Sequence, residues 1–250
     1  MTDPAFPHDR HVIQPDCGRC PDLVACRTEI AWGTGPTDAD VFVVGEAPAA
    51  GDPDADRWRG GNLTGSAYTS RHSGRRIRRL VDDCDYADRT YFTNAVKCFP
   101  RDRDADRETN REPTAEERRR CRDHLRTELS QVDPDVVCPT GKHATRSVLA
   151  LANATIDDVA DGFLDAVLCP VEVAIDVTDD EGDTVGESGA GDEDDEDRTT
   201  IQATVLPLLH PSYRDVWAPR IGYADGEAYR AAVRKTLDAA TRRRGEVTMQ

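Results

Sequence analysis

The sequence predicts one α/β domain built on a largely parallel sheet. Three observations carry this. The chain has 250 residues, about the size of a single domain. Short apolar runs of strand length recur along it, several stopping at Gly, Asn or Cys. Amphipathic helical stretches fall between those runs, the alternation that builds parallel sheets. Apolar residues make up 38% of the chain, too many for a disordered polymer, and the length suffices for a core without disulfide staples.

In chain order, residues 1–16 read as a polar leader and 17–245 as the domain. The run Asp40-Val-Phe-Val-Val-Gly45 is a buried strand feeding a turn. Residues 46–74, rich in Gly and Pro, form a long loop of the kind that carries function. Arg75–Asp83 places Ile77, Leu80 and Val81 at helical spacing among arginines. Thr90–Val96 is a second strand, and residues 101–112 are a charged excursion. Thr114 and Glu117 have the spacing of a capping box, opening a helix to about Ser130. Asp135–Cys138 is a third strand, followed by a helix over Lys142–Ala152. Strands are expected at Val167–Ile175 and Thr204–Leu209, and a last helix over Gly226–Arg243. Between those two strands, residues 176–200 are acidic and low in complexity, and are expected to be a disordered insertion.

The formal net charge of −16 comes from 32 basic and 48 acidic residues. Taken alone it argues against a nucleic-acid partner. Its distribution reverses that argument. Asp176–Arg198 holds twelve carboxylates and one Arg, and without it the rest of the chain has a balance of only −5. Lys97, Lys142 and Lys235 are the only lysines. Arg in place of Lys, with surplus carboxylates, is the composition expected of a protein adapted to a high-salt cytoplasm. No stretch nears the ~20 apolar residues of a membrane span, and the N-terminus lacks the charged-then-apolar pattern of a secretory signal. A cytoplasmic location is therefore expected, and with it metal or cluster ligation rather than disulfides for the eight cysteines.

Cys17-Gly-Arg-Cys20 is a tight pair whose thiolates can share one metal. Cys98 follows the second strand and Cys121 lies in the capped helix. Four thiolates gathered from these places suit tetrahedral zinc or an iron–sulfur cluster. Cys26, Cys84, Cys138 and Cys169 read as spare thiols.

Four motifs occur together and in order: Cys17-x-x-Cys20, Gly45-Glu-Ala-Pro48, Asn94-Ala-Val-Lys-Cys98 and His210-Pro-Ser212. The combination resembles the uracil-DNA glycosylase superfamily, most closely its iron–sulfur, family 4-like branch, over about residues 17–240. The resemblance implies an α/β/α sandwich around a short parallel sheet. It implies a [4Fe–4S] cluster on Cys17, Cys20, Cys98 and Cys121. It implies uracil-containing DNA, double- or single-stranded, as the partner of a monomeric repair enzyme that leaves an abasic site.

The residues themselves suit that chemistry. Glu46, Asn94 and His210 each follow a predicted strand, where the ligand crevice of an open α/β sheet lies. An Asn amide both donates and accepts, matching the N3–H and O4 edge of uracil. His210 can donate to O2, where negative charge grows as the bond to the sugar breaks. Ser212 offers a hydroxyl or N–H to a phosphate.

Three positions depart from the family pattern. Ala47 stands where other branches carry a water-activating Asp, leaving Glu46 as the adjacent carboxylate. Asp52 stands where the branch has a Glu near the uracil pocket. The stacking aromatic aligns with Leu63, with Trp58 or Tyr68 as substitutes. The altered loop 57–74 motivates an alternative, a non-catalytic iron–sulfur DNA-binding module on the same fold. A zinc-stabilised phosphate-ester or nucleotide enzyme is a third reading, which explains the cysteines but not Asn94 with His210. Arg71, Arg75, Arg76, Arg78 and Arg79 cluster beside the loop as candidate phosphate contacts, and Arg118, Arg119, Arg120 and Arg122 flank Cys121.

Overall fold

The computed structural model describes residues 3–104, 109–178 and 200–247. Its five strands are β1 Val41–Gly45, β2 Thr90–Asn94, β3 Val136–Pro139, β4 Val171–Asp176 and β5 Thr200–Val205. They form one sheet in the order β2-β1-β3-β5-β4. The pairs β1–β2, β1–β3 and β3–β5 are parallel, and only the edge pair β4–β5 is antiparallel. The helices are α1 Pro21–Val24, α2 Gly61–Thr64, α3 Ser73–Asp82, α4 Ala115–Val132, α5 Lys142–Leu149, α6 Phe163–Ala166, α7 Arg214–Trp217 and α8 Gly226–Val247. Among the described residues no helix is long and apolar enough to cross a membrane.

The period of two along β1 splits the core. Val41 and Val43 pack with Ile77 and Leu80 of α3 and with Tyr229, Val233 and Leu237 of α8. Phe42 and Val44 pack on the other face with Leu125 and Leu129 of α4 and Val148 and Leu149 of α5. Helices therefore cover both faces, the expected α/β/α sandwich, which is why β1, β2 and β3 are buried throughout. Each fully buried side chain of this kind stabilises the fold by roughly 1.5–3 kcal/mol.

The capping box is formed. Thr114 accepts from the N–H of Glu117, and the Glu117 carboxylate accepts from the N–H of Thr114. The helix that it starts ends at Asp133, which is left-handed (φ 46°) and precedes Pro134.

Two expected strands move. β5 occupies Thr200–Val205 rather than Thr204–Leu209. Pro207 has no N–H to donate on the β4 side, where its carbonyl accepts from Leu168, and residues 206–209 continue as extended chain whose Leu206 and Leu208 N–H groups still donate to the carbonyls of Val137 and Pro139. β4 starts at Val171 rather than Val167, because Phe163–Ala166 is helical and Leu168 turns the chain at φ 60°. The loop 46–74 also carries a short helix, α2. Most of the proposed acidic insertion, residues 179–199, lies outside the described residues. Its two ends meet in register, with Asp176 opposite Thr200.

Candidate active site and cysteine centre

The carboxyl ends of β1, β2 and β3 and the chain beyond β5 surround a cavity of about 250 Å³. Glu46, Asn94 and His210, predicted from separate strand ends, all line it, with Ala47, Tyr68 and Thr140. Asn94 is buried and lies opposite Gly45 in the β1–β2 register. A Cβ on Gly45 would stand 2.3 Å from Asn94 Oδ1 and 2.8 Å from Tyr68 Oη. Only glycine lets both side chains come this close to the end of β1.

His210 is fixed by its own loop. The backbone N–H of Ser212 donates to His210 Nδ1 at 3.2 Å. In the neutral ring the proton then sits on Nε2. Burial holds the imidazole pKa below its ordinary value, so the neutral form dominates. Glu46 is half-buried, and burial pushes its carboxyl above the usual carboxylate range, opposed by His143.

Tyr68 supplies the aromatic wall. Its Oη lies 2.6 Å from Thr140 Oγ1, and burial pushes the phenol well above its ordinary pKa, so it stays neutral. Its backbone is left-handed (φ 53°), which for a bulky residue costs roughly 1–3 kcal/mol. Arg78 holds that conformation. Its guanidinium donates to the carbonyls of Tyr68 (3.0 Å) and Ala67 (3.1 Å) and to Thr34 Oγ1 (2.6 Å), and stacks 4.2 Å over Phe92.

The four predicted cysteines converge on a second, much smaller hollow behind β2, lined also by Leu23, Ile30 and His124. Cys17, Cys98 and Cys121 are buried and Cys20 half-buried. Three of the sulfurs have nitrogen neighbours: His124 Nε2 at 3.3 Å from Cys17, Arg27 Nη1 at 3.2 Å from Cys98, and the N–H of Lys97 at 3.3 Å from Cys121. Four thiols on one hollow are a donor set for a thiolate-bound metal or cluster.

Residues 32–237 match the sequence profile of the uracil DNA glycosylase superfamily. The chain belongs to the uracil DNA glycosylase superfamily. A type-5 uracil-DNA glycosylase of Pyrobaculum aerophilum is 32% identical over 169 residues, covering 56% of this chain and 68% of that protein. A type-4 uracil-DNA glycosylase of Archaeoglobus fulgidus is 30% identical over 136 residues, 54% of this chain and 59% of its own length. One from Thermotoga maritima, also type 4, is 32% identical over 129 residues, covering 51% and 58%.

Within this superfamily member, several expected site residues stand elsewhere. Leu63 belongs to α2 and packs toward Gly51, outside the cavity lining. Trp58 is buried edge-on against Phe6. Asp52 is exposed, its carboxylate accepting from the N–H of Asp54 in a local turn. Ser212 is exposed and bears on the site through its N–H to His210. Arg78 is buried structure rather than a phosphate contact, while Arg75 and Arg79 pair with Asp3. Arg118 pairs with Glu112, and Arg119 and Arg120 with Glu116.

The end of the charged excursion, residues 110–111, contributes to the site, which composition did not suggest. Asn110 donates to the carbonyl of Pro48 at 2.9 Å, and Asn110 and Arg111 both line the cavity. The only signal in the sequence was an Asn within a charged, Pro-bounded stretch.

Proposed function

We propose that the chain hydrolyses the N-glycosidic bond of deoxyuridine in DNA, releasing uracil and leaving an abasic site. The observation that carries this reading is the meeting of Asn94, His210 and Tyr68 around one small cavity at the carboxyl edge of the sheet. A glycosylase must take its base out of the stack and read the polar edge while an aromatic face covers it. Asn94 reads N3–H and O4. The Nε2–H of neutral His210 donates to O2 and meets the charge that leaves with the uracil anion. Tyr68 offers the π-face that Leu63 lacks, and that favours the enzyme over a non-catalytic DNA-binding module. Glu46 is the carboxylate at the cavity rim suited to hold the attacking water.

Cys17, Cys20, Cys98 and Cys121 are the residues that would hold a [4Fe–4S] cluster. When bound, such a group supplies iron–thiolate bonds that tie the N-terminal segment to β2's end and to α4, a contribution to folding rather than to the base. In this reading the protein acts as a cytoplasmic monomer on double- or single-stranded DNA.

The experiment is incubation of the purified holoprotein with U·G, U·A and single-stranded uracil oligonucleotides in several-molar potassium chloride, then alkaline cleavage and a gel. Strand breaks at the uracil position are expected. Binding without base release, with the cysteine centre intact, would leave the non-catalytic module in place of the enzyme.

A further inference from the structure

Three side chains from three separate elements meet behind the rim of the cavity. Glu46 follows β1, Glu112 precedes α4, and His143 lies in the first turn of α5. Their ligating atoms all fall within 4.8 Å of one another. His143 Nδ1 stands 2.9 Å from a Glu112 oxygen, close in distance but outside hydrogen-bonding alignment. Glu46 and His143 also line an open cleft that shares Thr140 and His210 with the cavity. The imidazole therefore meets both an outer carboxylate and the one at the candidate site.

We infer that His143, backed by Glu112, is a positioning residue for Glu46, holding that carboxylate at the rim where the attacking water must sit. The inference rests on the glycosylase reading above. In the step concerned, the water oxygen bonds to C1′ as the C1′–N1 bond breaks. The electron pair of that bond leaves with uracil, and the water's proton passes to Glu46. A base of this kind works only while ionised, and Glu46 is half-buried beside Glu112, two features that favour its protonated form. The groups that oppose them are His143 from α5 and Arg118 from α4, the latter 3.1 Å from Glu112 and so partly engaged. Arg111 lines the same cavity but is turned to Glu117 through both terminal guanidinium nitrogens. His210 stays neutral on the opposite wall. His143 is thus the group that lies against both carboxylates, and removal of its imidazole is the change Glu46 would feel.

The test is single-turnover excision from a uracil oligonucleotide across the carboxylate and imidazole titration ranges. The proteins compared are wild type, Glu46→Gln, His143→Gln and the double variant. His143→Gln is expected to move the acid limb of the rate profile to higher pH and to lower the rate on its acid side roughly tenfold, within the range a general base supplies. Glu46→Gln should abolish that limb, and His143→Gln should then add nothing, since the two act through one group. Thermal melting of the single variants near wild type would separate this from loss of fold; His143 is one-third exposed and tolerates Gln. An unmoved acid limb, or losses that simply add in the double variant, would overturn the role while leaving the glycosylase reading intact. A wild type that binds but excises nothing would overturn both.

Discussion

The backbone N–H of Ser212 donates to Nδ1 of His210 at 3.2 Å, so one turn of chain decides which face of the imidazole carries the proton. The consequence for catalysis is a donor aimed at the charge that appears in the transition state. His210→Ala is therefore expected to lower kcat more than it raises KM, by about 10²–10³. The same burial has a stability signature. The unfolded chain protonates this ring near the ordinary value of about 6.5, while the folded chain does so only at lower pH. Stability from this group is full above the unfolded value and is lost as the pH falls from there toward the folded one. Thermal melts over that interval should decline, and less steeply in His210→Ala.

Asn94 is expected to set the base. Asn94→Asp replaces a donor–acceptor amide by an acceptor. It should weaken excision of uracil, whose O4 repels a carboxylate, and admit cytosine, whose N4 amino group donates. Excision rates on paired uracil and cytosine oligonucleotides measure the change.

Tyr68 separates packing from polarity. Tyr68→Phe keeps the ring and loses the contact to Thr140, a cost of about 0.5–1.5 kcal/mol in chemical denaturation, with excision largely retained. Tyr68→Leu removes the π-face, and its loss should fall on base capture as a raised KM. An unchanged KM would mean that the ring does not face the base.

The cysteine centre makes its own prediction. Purified protein should be brown and carry about four irons per chain, and Cys121→Ala should bleach it and lower the melting temperature. Zinc without iron in anaerobically purified protein would contradict the cluster.

Between that centre and Asn94 lies a buried ion pair. Lys97 Nζ reaches Glu128 at 2.5 Å, Thr93 Oγ1 at 2.7 Å and the carbonyl of Asn94 at 2.7 Å, with both charged side chains at most 1% exposed. Lys97→Met strands Glu128 and should cost roughly 3–5 kcal/mol in denaturant unfolding. Lys97→Met with Glu128→Leu should recover part of it.

How much of this was legible in the sequence follows from how local each signal is. The Thr114–Glu117 box and the ends of β1 and β2 are written in neighbouring residues, and so were readable. Asn94 could be placed at the cavity because it closes β2, and His210 reaches the same edge on the extended chain that follows β5. The strand at β5 was placed too late because residues 205–209 are apolar whether or not they belong to it, and Pro207 lies where regular pairing with β4 has stopped. Leu63 was favoured over Tyr68 by spacing alone, whereas a left-handed tyrosine pinned by a buried Arg78 is a tertiary event. Glu112 and His143 belong to segments separated by the whole of α4. Nothing in either segment points to the other.

The β4–β5 hairpin has an architectural consequence. Asp176 and Thr200 are already neighbours across an antiparallel ladder, so whatever joins them spans almost no distance. For a polar connection, each doubling of its length costs only about 0.6 kcal/mol in closure entropy. The edge of the sheet farthest from β2 and its Asn94 is thus a port at which sequence can be added, trimmed or exchanged with little effect on the fold. A fluorescent domain or an affinity tag grafted between these two residues would report on the protein while leaving the opposite edge, where the base is read, untouched.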